Sequence, residues 1–381
     1  MQHVKDMISK LVSFDTVSSK SNLPILDYIE AYLAEYGFES HRVYNAEGDK
    51  ANLYATIGPK VAGGVVLSGH TDVVPVDNQD WSTDPFDVIE KDGKLYGRGT
   101  ADMKSYSAIN LALVPDMIKA DLKRPIHLAL SYDEEVGCLG APSMIDEMVK
   151  TLPPVHAVIV GEPTNMQIAN MHKGMNAGRV YVRGLEAHSS QPHLGCSANL
   201  YAARLMVEIG KISDELKENK LEGIDLEPNY STLNMGIVQG GIAANIIARD
   251  CMFSWDYRNL PDDDVSIVLN RIYDYANKLE AEMKAIYSEA SIRIELLQVT
   301  GLNPEHGGAA ETLVRELSGR NSVMAVPYGT EAGQFQERGY STVICGPGSI
   351  DQAHKPDEFI TLDQVQKGLA FTQRLIAKQA Q

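Results

Sequence analysis

A chain of 381 residues exceeds what one hydrophobic core usually organises, so two domains are expected. Lys and Arg total 34 against 51 Asp and Glu, a net charge of −17 that repels phosphate backbones and anionic lipid. Nucleic acid and membrane surfaces are therefore not expected partners, and no stretch approaches the roughly 18 apolar residues that span a bilayer.

The first residues alternate apolar and polar with helical period and lack the apolar run and cleavage site of an export signal, which makes a cytoplasmic location the expectation. Residues 4–13 and 23–36 read as amphipathic helices, with Gly37 placed to cap the second. Apolar runs at 52–58, 64–70, 125–133 and 156–163 end in Gly or charged residues, as buried strands of a helix-covered sheet do. Helical segments at 102–118 and 140–150 separate them. The alternation predicts an α/β fold with a mixed, largely parallel sheet flanked by helices, and a ligand site outside the carboxyl ends of the strands.

From Lys173 the rhythm changes. A strand (174–184), a long helix (197–219), two strands (231–241 and 248–258), a second long helix (262–287) and a strand (291–299) follow in β-α-β-β-α-β order, which suggests an inserted ferredoxin-like α+β domain. A helix at 307–319 and a strand at 341–347 return the chain to the first domain. The expected division is residues 1–172 with 299–381 for the catalytic domain and 173–298 for the insert. The insert could present a helix face and an edge strand to a twin, so a homodimer built through it is expected.

Charged residues gather in SGHTDVVP (68–75), GRGTADMK (97–104), YDEEVG (132–137), GEPT (161–164) and GPGSIDQAHKPDEF (346–359). Cys138, Cys196, Cys251 and Cys345 lie far apart with no C-x-x-C pair, which argues against a disulfide framework and a thiolate metal site. Any metal must then be held by His and carboxylate. Zinc accepts such ligands, and a co-catalytic pair needs one carboxylate to bridge it.

These five segments, in this order, resemble the zinc aminoacylase and carboxypeptidase superfamily. The resemblance runs from the first helices through Phe359, and GPGSIDQAHKPDEF with YGTEAGQF (328–335) is most similar to its acetylornithine deacetylase branch. It implies a zinc-peptidase-like catalytic domain, two zinc ions for which Co²⁺ or Mn²⁺ can substitute, and removal of the acetyl group from acetylornithine to give ornithine and acetate in arginine biosynthesis. Alternatives are a succinyl-diaminopimelate desuccinylase, another acyl-amino-acid hydrolase or carboxypeptidase, and a non-catalytic metal-binding relative.

Carried over residue by residue, the resemblance makes His70 and Glu162 ligands of one zinc, Glu135 and His354 ligands of the other, and Asp102 the bridge. Glu134 is left for acid/base work, which suits two adjacent carboxylates that diverge. Asp72, two residues after His70, either accepts that histidine's second N–H or forms a turn before VVP. Gly97 and Gly99 would permit the tight path that delivers Asp102. In the insert, the resemblance makes His188 the stabiliser of an oxyanion, often reaching from the partner subunit, while Asn245 and Arg258 engage the substrate carboxylate, a task suited to the planar guanidinium fork. Thr330, Glu331, Gly346 and Ser349 fall in loops expected to border the site. Glu331 is expected either to attract the ammonium of ornithine or simply to start a helix after Thr330.

Overall fold

The apolar runs at 64–70 and 126–131 are buried at every residue, as strands must be when helices cover both faces of a parallel sheet. The computed structural model describes residues 1–223 and 226–381, and the chain divides into two compact units. The larger comprises Met1–Met171, Leu302–Ala325 and Thr330–Gln381; the smaller comprises His172–Gly301 with Val326–Gly329.

An eight-stranded sheet organises the larger unit, in the order Ser40–Tyr44, Ala51–Ile57, Ile126–Ser131, Gly64–His70, Val155–Pro163, Thr342–Gly346, Ile168–His172, Val323–Val326. Its four central strands, from Ile126–Ser131 to Thr342–Gly346, are parallel, and the first two strands and Ile168–His172 join antiparallel. Helix Gln2–Val12 buries Val4, Met7, Ile8 and Leu11, and helix Leu23–Glu35 buries Ile25, Leu26, Ile29 and Leu33, in each case the stripe that a 3.6-residue period aligns. The single helix expected at 102–118 is two, Lys104–Ala112 and Val114–Lys119. Pro115 lacks the N–H that a continuous helix would need and instead sits in the first turn of the second. Phe359–Thr361 returns to pair with Lys94–Tyr96 in a small three-stranded sheet.

The smaller unit is an antiparallel sheet ordered Thr232–Gly240, Asp250–Asn259, Gly174–Arg183, Ser291–Val299. Buried and less buried residues alternate along Gly174–Arg183 and Asp250–Asn259, the signature of a sheet with one covered face. Helices Ala198–Leu216 and Val265–Ile286 share a core with it through Leu205, Ile209, Ile272, Leu279, Phe253 and Trp255. Ser197 and Asp264 cap the two helices through their side chains. Order and pairing are those of a ferredoxin-like fold. Among the described residues, no helix is long and apolar enough to cross a membrane.

Candidate metal centre

The central parallel strands deliver charged residues at their carboxyl ends, where α/β sheets place ligands. His70 is the last residue of its strand, and Glu162 lies at the end of Val155–Pro163. A side chain at Gly161 would put its Cβ 2.1 Å from Tyr106 Cδ1, so only glycine fits immediately before Glu162. Asp102 precedes helix Lys104–Ala112 and follows Gly99, whose φ of +88° favours glycine. Glu134 and Glu135 follow strand Ile126–Ser131 through Asp133, which adopts a left-handed φ of +53° and is held by Lys50 Nζ at 2.6 Å. His354, also left-handed at +62°, follows strand Thr342–Gly346.

These loops bring five donors together as two triads that share Asp102. His70 Nε2 lies 3.1 Å from Asp102 Oδ1 and 3.6 Å from Glu162 Oε1. His354 Nε2 lies 3.4 Å from Asp102 Oδ2 and 3.1 Å from Glu135 Oε2. Asp102 thus turns one oxygen toward each group, and within each triad the donor atoms all fall within 4.8 Å of one another. Glu162 Oε1 is buried with no hydrogen-bond partner, an arrangement that costs several kcal/mol unless a positive charge compensates it. Imidazole nitrogen with carboxylate oxygen is a donor set that zinc, cobalt and manganese accept, so the residues fit divalent metal.

The protonation of these groups reflects the crowding. Burial pushes Glu162 well above the usual carboxyl range, and the charges of Asp102 and Glu134 add to it. Burial lifts Glu134 to about 8; His70 opposes the rise, whereas Glu135, Asp102 and Asp72 reinforce it. Glu135 is raised by burial and by Asp102. Asp102 moves the other way: burial would raise it, but hydrogen bonds from His354 and His70 outweigh burial and hold it low. Burial would lower His70, yet Asp102, Glu162 and Glu134 raise it. Hydrogen bonds to Asp102 and Glu135 lift His354 to about 10. Each triad thus packs carboxyl groups against imidazole in a place that demands positive charge, which a bound cation would supply.

Asp72 departs from expectation. His70 Nδ1 donates to the main-chain oxygen of Asp72 at 2.9 Å, while the Asp72 carboxylate stands 3.7 Å away. That carboxylate instead accepts the N–H of Glu134 on one oxygen and the N–H of Glu135 on the other, both at 3.2 Å, and the Ser18 hydroxyl at 2.7 Å. The chain reverses so tightly after His70 that the carbonyl reaches the imidazole first, which frees the side chain to hold the Glu134–Glu135 turn.

Glu331 is a second correction. It opens helix Ala332–Glu337, is buried, and accepts from Ser68 Oγ at 2.6 Å and Ser131 Oγ at 2.7 Å, one serine from each of two adjacent parallel strands. Both carboxylate oxygens are engaged inside the fold, so the helix-start alternative applies and the ammonium-attracting one does not. Thr330 Oγ1 accepts from Ala332 N beside it. Gly346 ends its strand, with its main-chain oxygen accepting from Thr164 and Met166, and Ser349 opens a short 3₁₀ turn.

His188, Asn245 and Arg258 belong to the smaller unit. The segments carrying the first two are paired: His188 bridges Ile246, and Ser189 N donates to Asn245 O at 3.0 Å. His188 Nδ1 accepts the main-chain N–H of Ser190 at 3.2 Å. With Nδ1 turned to Ser190 as an acceptor, the arrangement favours the tautomer that carries its N–H on Nε2. Arg258 Nε donates to both oxygens of Asp256, at 3.0 and 2.9 Å.

Three residues were missed by sequence reasoning. Cys138 directs its thiol at Glu134 Oε1, 3.2 Å away. Arg98 and Glu358 form a fully buried ion pair at 2.6 Å. Both lie within motifs singled out above, but a charged residue in a polar loop gives no sign in the sequence that it is buried.

Residues 66–378 match the sequence profile of peptidase family M20/M25/M40. An acetylornithine deacetylase from Myxococcus xanthus is 34% identical over 376 residues, covering 97% of this chain and 96% of that protein. Another from Pasteurella multocida is 33% identical over 384 residues, covering 98% and 97%. Among solved structures, an M20 family metallo-carboxypeptidase from Sulfolobus solfataricus superimposes with a TM-score of 0.77 at 17% identity over 100% of both chains. The aminopeptidase PepT from Bacillus cereus does so with a TM-score of 0.75 at 17% identity, over 100% of this chain and 99% of that one. At such identities these structures speak for the fold alone.

Proposed function

Because this chain belongs to peptidase family M20/M25/M40, we propose that it is a metal-dependent amidohydrolase that removes the acetyl group from acetylornithine. The observation that carries this reading is Asp102, one carboxylate offering an oxygen to each of two His–carboxylate triads, with Glu134 in neither. Two divalent cations held there, zinc by resemblance, would supply Lewis acidity and lower the pKa of water between them.

The chain's own residues do the rest. Glu134 takes a proton from the attacking water and returns it to the departing amine, a task served by a carboxyl that burial lifts toward neutral pH. Asp72 and Cys138 fix its direction. His188 offers Nε2–H to the oxyanion that forms as the carbonyl is attacked. Asn245 and Arg258 bind the substrate carboxylate; with Nε committed to Asp256, the arginine has its terminal nitrogens for that purpose.

The enzyme acts in the cytoplasm, on a small metabolite, as a homodimer built through the smaller unit. Support for the dimer comes from Leu200 and Val207 on one helix face, 67% and 61% exposed, and from exposed Ile237 and Val238 on the edge strand Thr232–Gly240. Val207→Glu is expected to convert it to a monomer in sedimentation; an unchanged dimer would place the interface elsewhere.

The activity is tested by measuring amine release by zinc-loaded protein from acetylornithine, succinyl-diaminopimelate and acetylmethionine in parallel, with Glu134→Ala as control. Preference for acetylornithine that disappears in the variant is the expected result. Preference for another substrate would move the protein to a sister activity, and turnover that survives the variant would remove Glu134 from its role.

A further inference from the structure

We propose that Glu358, acting through Arg98 and Gln79, is the positioning residue that sets the separation of the two triads, tying the loop that carries Asp102 to the loop that carries His354. The inference rests on the reading that these triads hold two cations. Glu358 Oε1 accepts three main-chain N–H groups of the first loop, those of Gly99 at 3.0 Å, Ala101 at 2.8 Å and Asp102 at 3.1 Å. Its Oε2 accepts Arg98 Nη1 at 2.6 Å, and its main-chain oxygen accepts Gly97 N at 2.9 Å. Both oxygens of Glu358 are thus engaged within this network, although it follows His354 by only four residues.

Arg98 carries the connection onward. Nη1 also reaches Lys355 O at 3.3 Å, and Nη2 donates to Gln79 Oε1 at 2.6 Å. Gln79 Nε2 then donates to the main-chain oxygen of His354 at 3.2 Å, while Trp81 donates to Gln79 Oε1 and lays its ring 5.0 Å from the Arg98 guanidinium. The path from the Asp102 amide to the His354 carbonyl is therefore unbroken: Glu358, Arg98, Gln79. A buried ion pair is a poor device for stability, since apolar residues of similar volume often serve as well or better. What it provides here is fixed direction. His354 needs such anchoring, because its side chain is 55% exposed and its backbone is left-handed, so packing alone does little to hold it.

The consequence is selective. Loosening the network should harm the His354–Glu135 triad more than the His70–Glu162 triad, whose histidine is buried and anchored by Asp72 O. The test titrates the metal-free full chain with Co²⁺, following heat and visible absorption, for wild type, Glu358→Gln and Gln79→Ala, with melting curves to establish folding. Wild type is expected to take up two equivalents. Both variants should bind the second about 10- to 100-fold more weakly, with an altered absorption spectrum and the first equivalent little changed. Gln79 is only partly buried and its loss leaves the ion pair intact, so it decides alone if Glu358→Gln does not fold. Folded variants that bind both equivalents with wild-type affinity and spectrum would overturn the proposal, as would a Gln79→Ala protein indistinguishable from wild type. A wild-type protein that binds fewer than two equivalents would remove the two-triad reading itself, and the inference with it.

Discussion

Asp72→Asn separates two roles for one buried carboxylate. In the wild type each Asp72 oxygen accepts one main-chain N–H of the Glu134–Glu135 turn, and Ser18 adds a third bond. An amide has one accepting oxygen, so whichever way it lies, one of those N–H groups faces an NH₂. The loss of a hydrogen bond to a charged acceptor is worth about 1.5–3 kcal/mol, which for a unit of this size lowers the melting temperature by about 3–12 °C. A displacement of the base on the order of 1 Å costs about 100-fold in kcat. The His70 anchor survives, because it is the main-chain oxygen of Asp72 that receives Nδ1–H. The expected variant therefore melts earlier, keeps its cations and KM, and loses about two orders of magnitude in kcat by steady-state assay with parallel metal analysis. A wild-type kcat, or a kcat fully restored by excess cation, would refute this and return the carboxylate to the service of His70.

Glu134→Gln should retain the full cation content, measured by atomic absorption, while kcat falls by about 10²–10⁴; a variant that loses metal instead would make Glu134 a ligand. Cation binding should release protons, since His354, lifted to about 10, is protonated at pH 7 and must be neutral to ligate. Apparent affinity should therefore rise with pH and level off only above that value, which calorimetry in buffers of different ionisation heat will check; affinity constant between pH 6 and 8 would contradict it. Gly161→Ala places a methyl group within 2.1–2.4 Å of the ring of Tyr106, which is buried and hydrogen-bonded to Ile159 O. It should cost about 1–3 kcal/mol in denaturant unfolding, and wild-type stability would show that the ring can move.

The parallel centre of the large sheet was legible because strands buried on both faces must be continuously apolar, as at 64–70 and 126–131. The smaller unit was legible for a different reason, the switch of hydrophobic period from 2 to 3.6 and back. Ser40–Tyr44, the polar edge strand SHRVY, and the three-residue strands around Lys94–Tyr96 carry too little pattern to be seen. Motifs identified the residues that surround Asp102 but not their partners. The engagement of Glu331 by Ser68 spans 263 residues, and that of Asp72 by the Glu134 amide spans 62. Such contacts depend on how strands are ordered in the sheet, and no local spacing encodes that.

The order of the donors along the chain bears on synthesis. His70, Asp102 and Glu162 all precede the inserted module, whereas His354 follows it by more than fifty residues. At a ribosome adding about 5–20 residues per second, roughly 10–40 s separate the emergence of Glu162 from that of His354. Strand Thr342–Gly346, which flanks Val155–Pro163 in the finished sheet, is equally late, so that edge of the parallel array stays open while the module is made. A nascent chain therefore holds one complete triad and two-thirds of the other throughout the synthesis of the module, and activity must await His354.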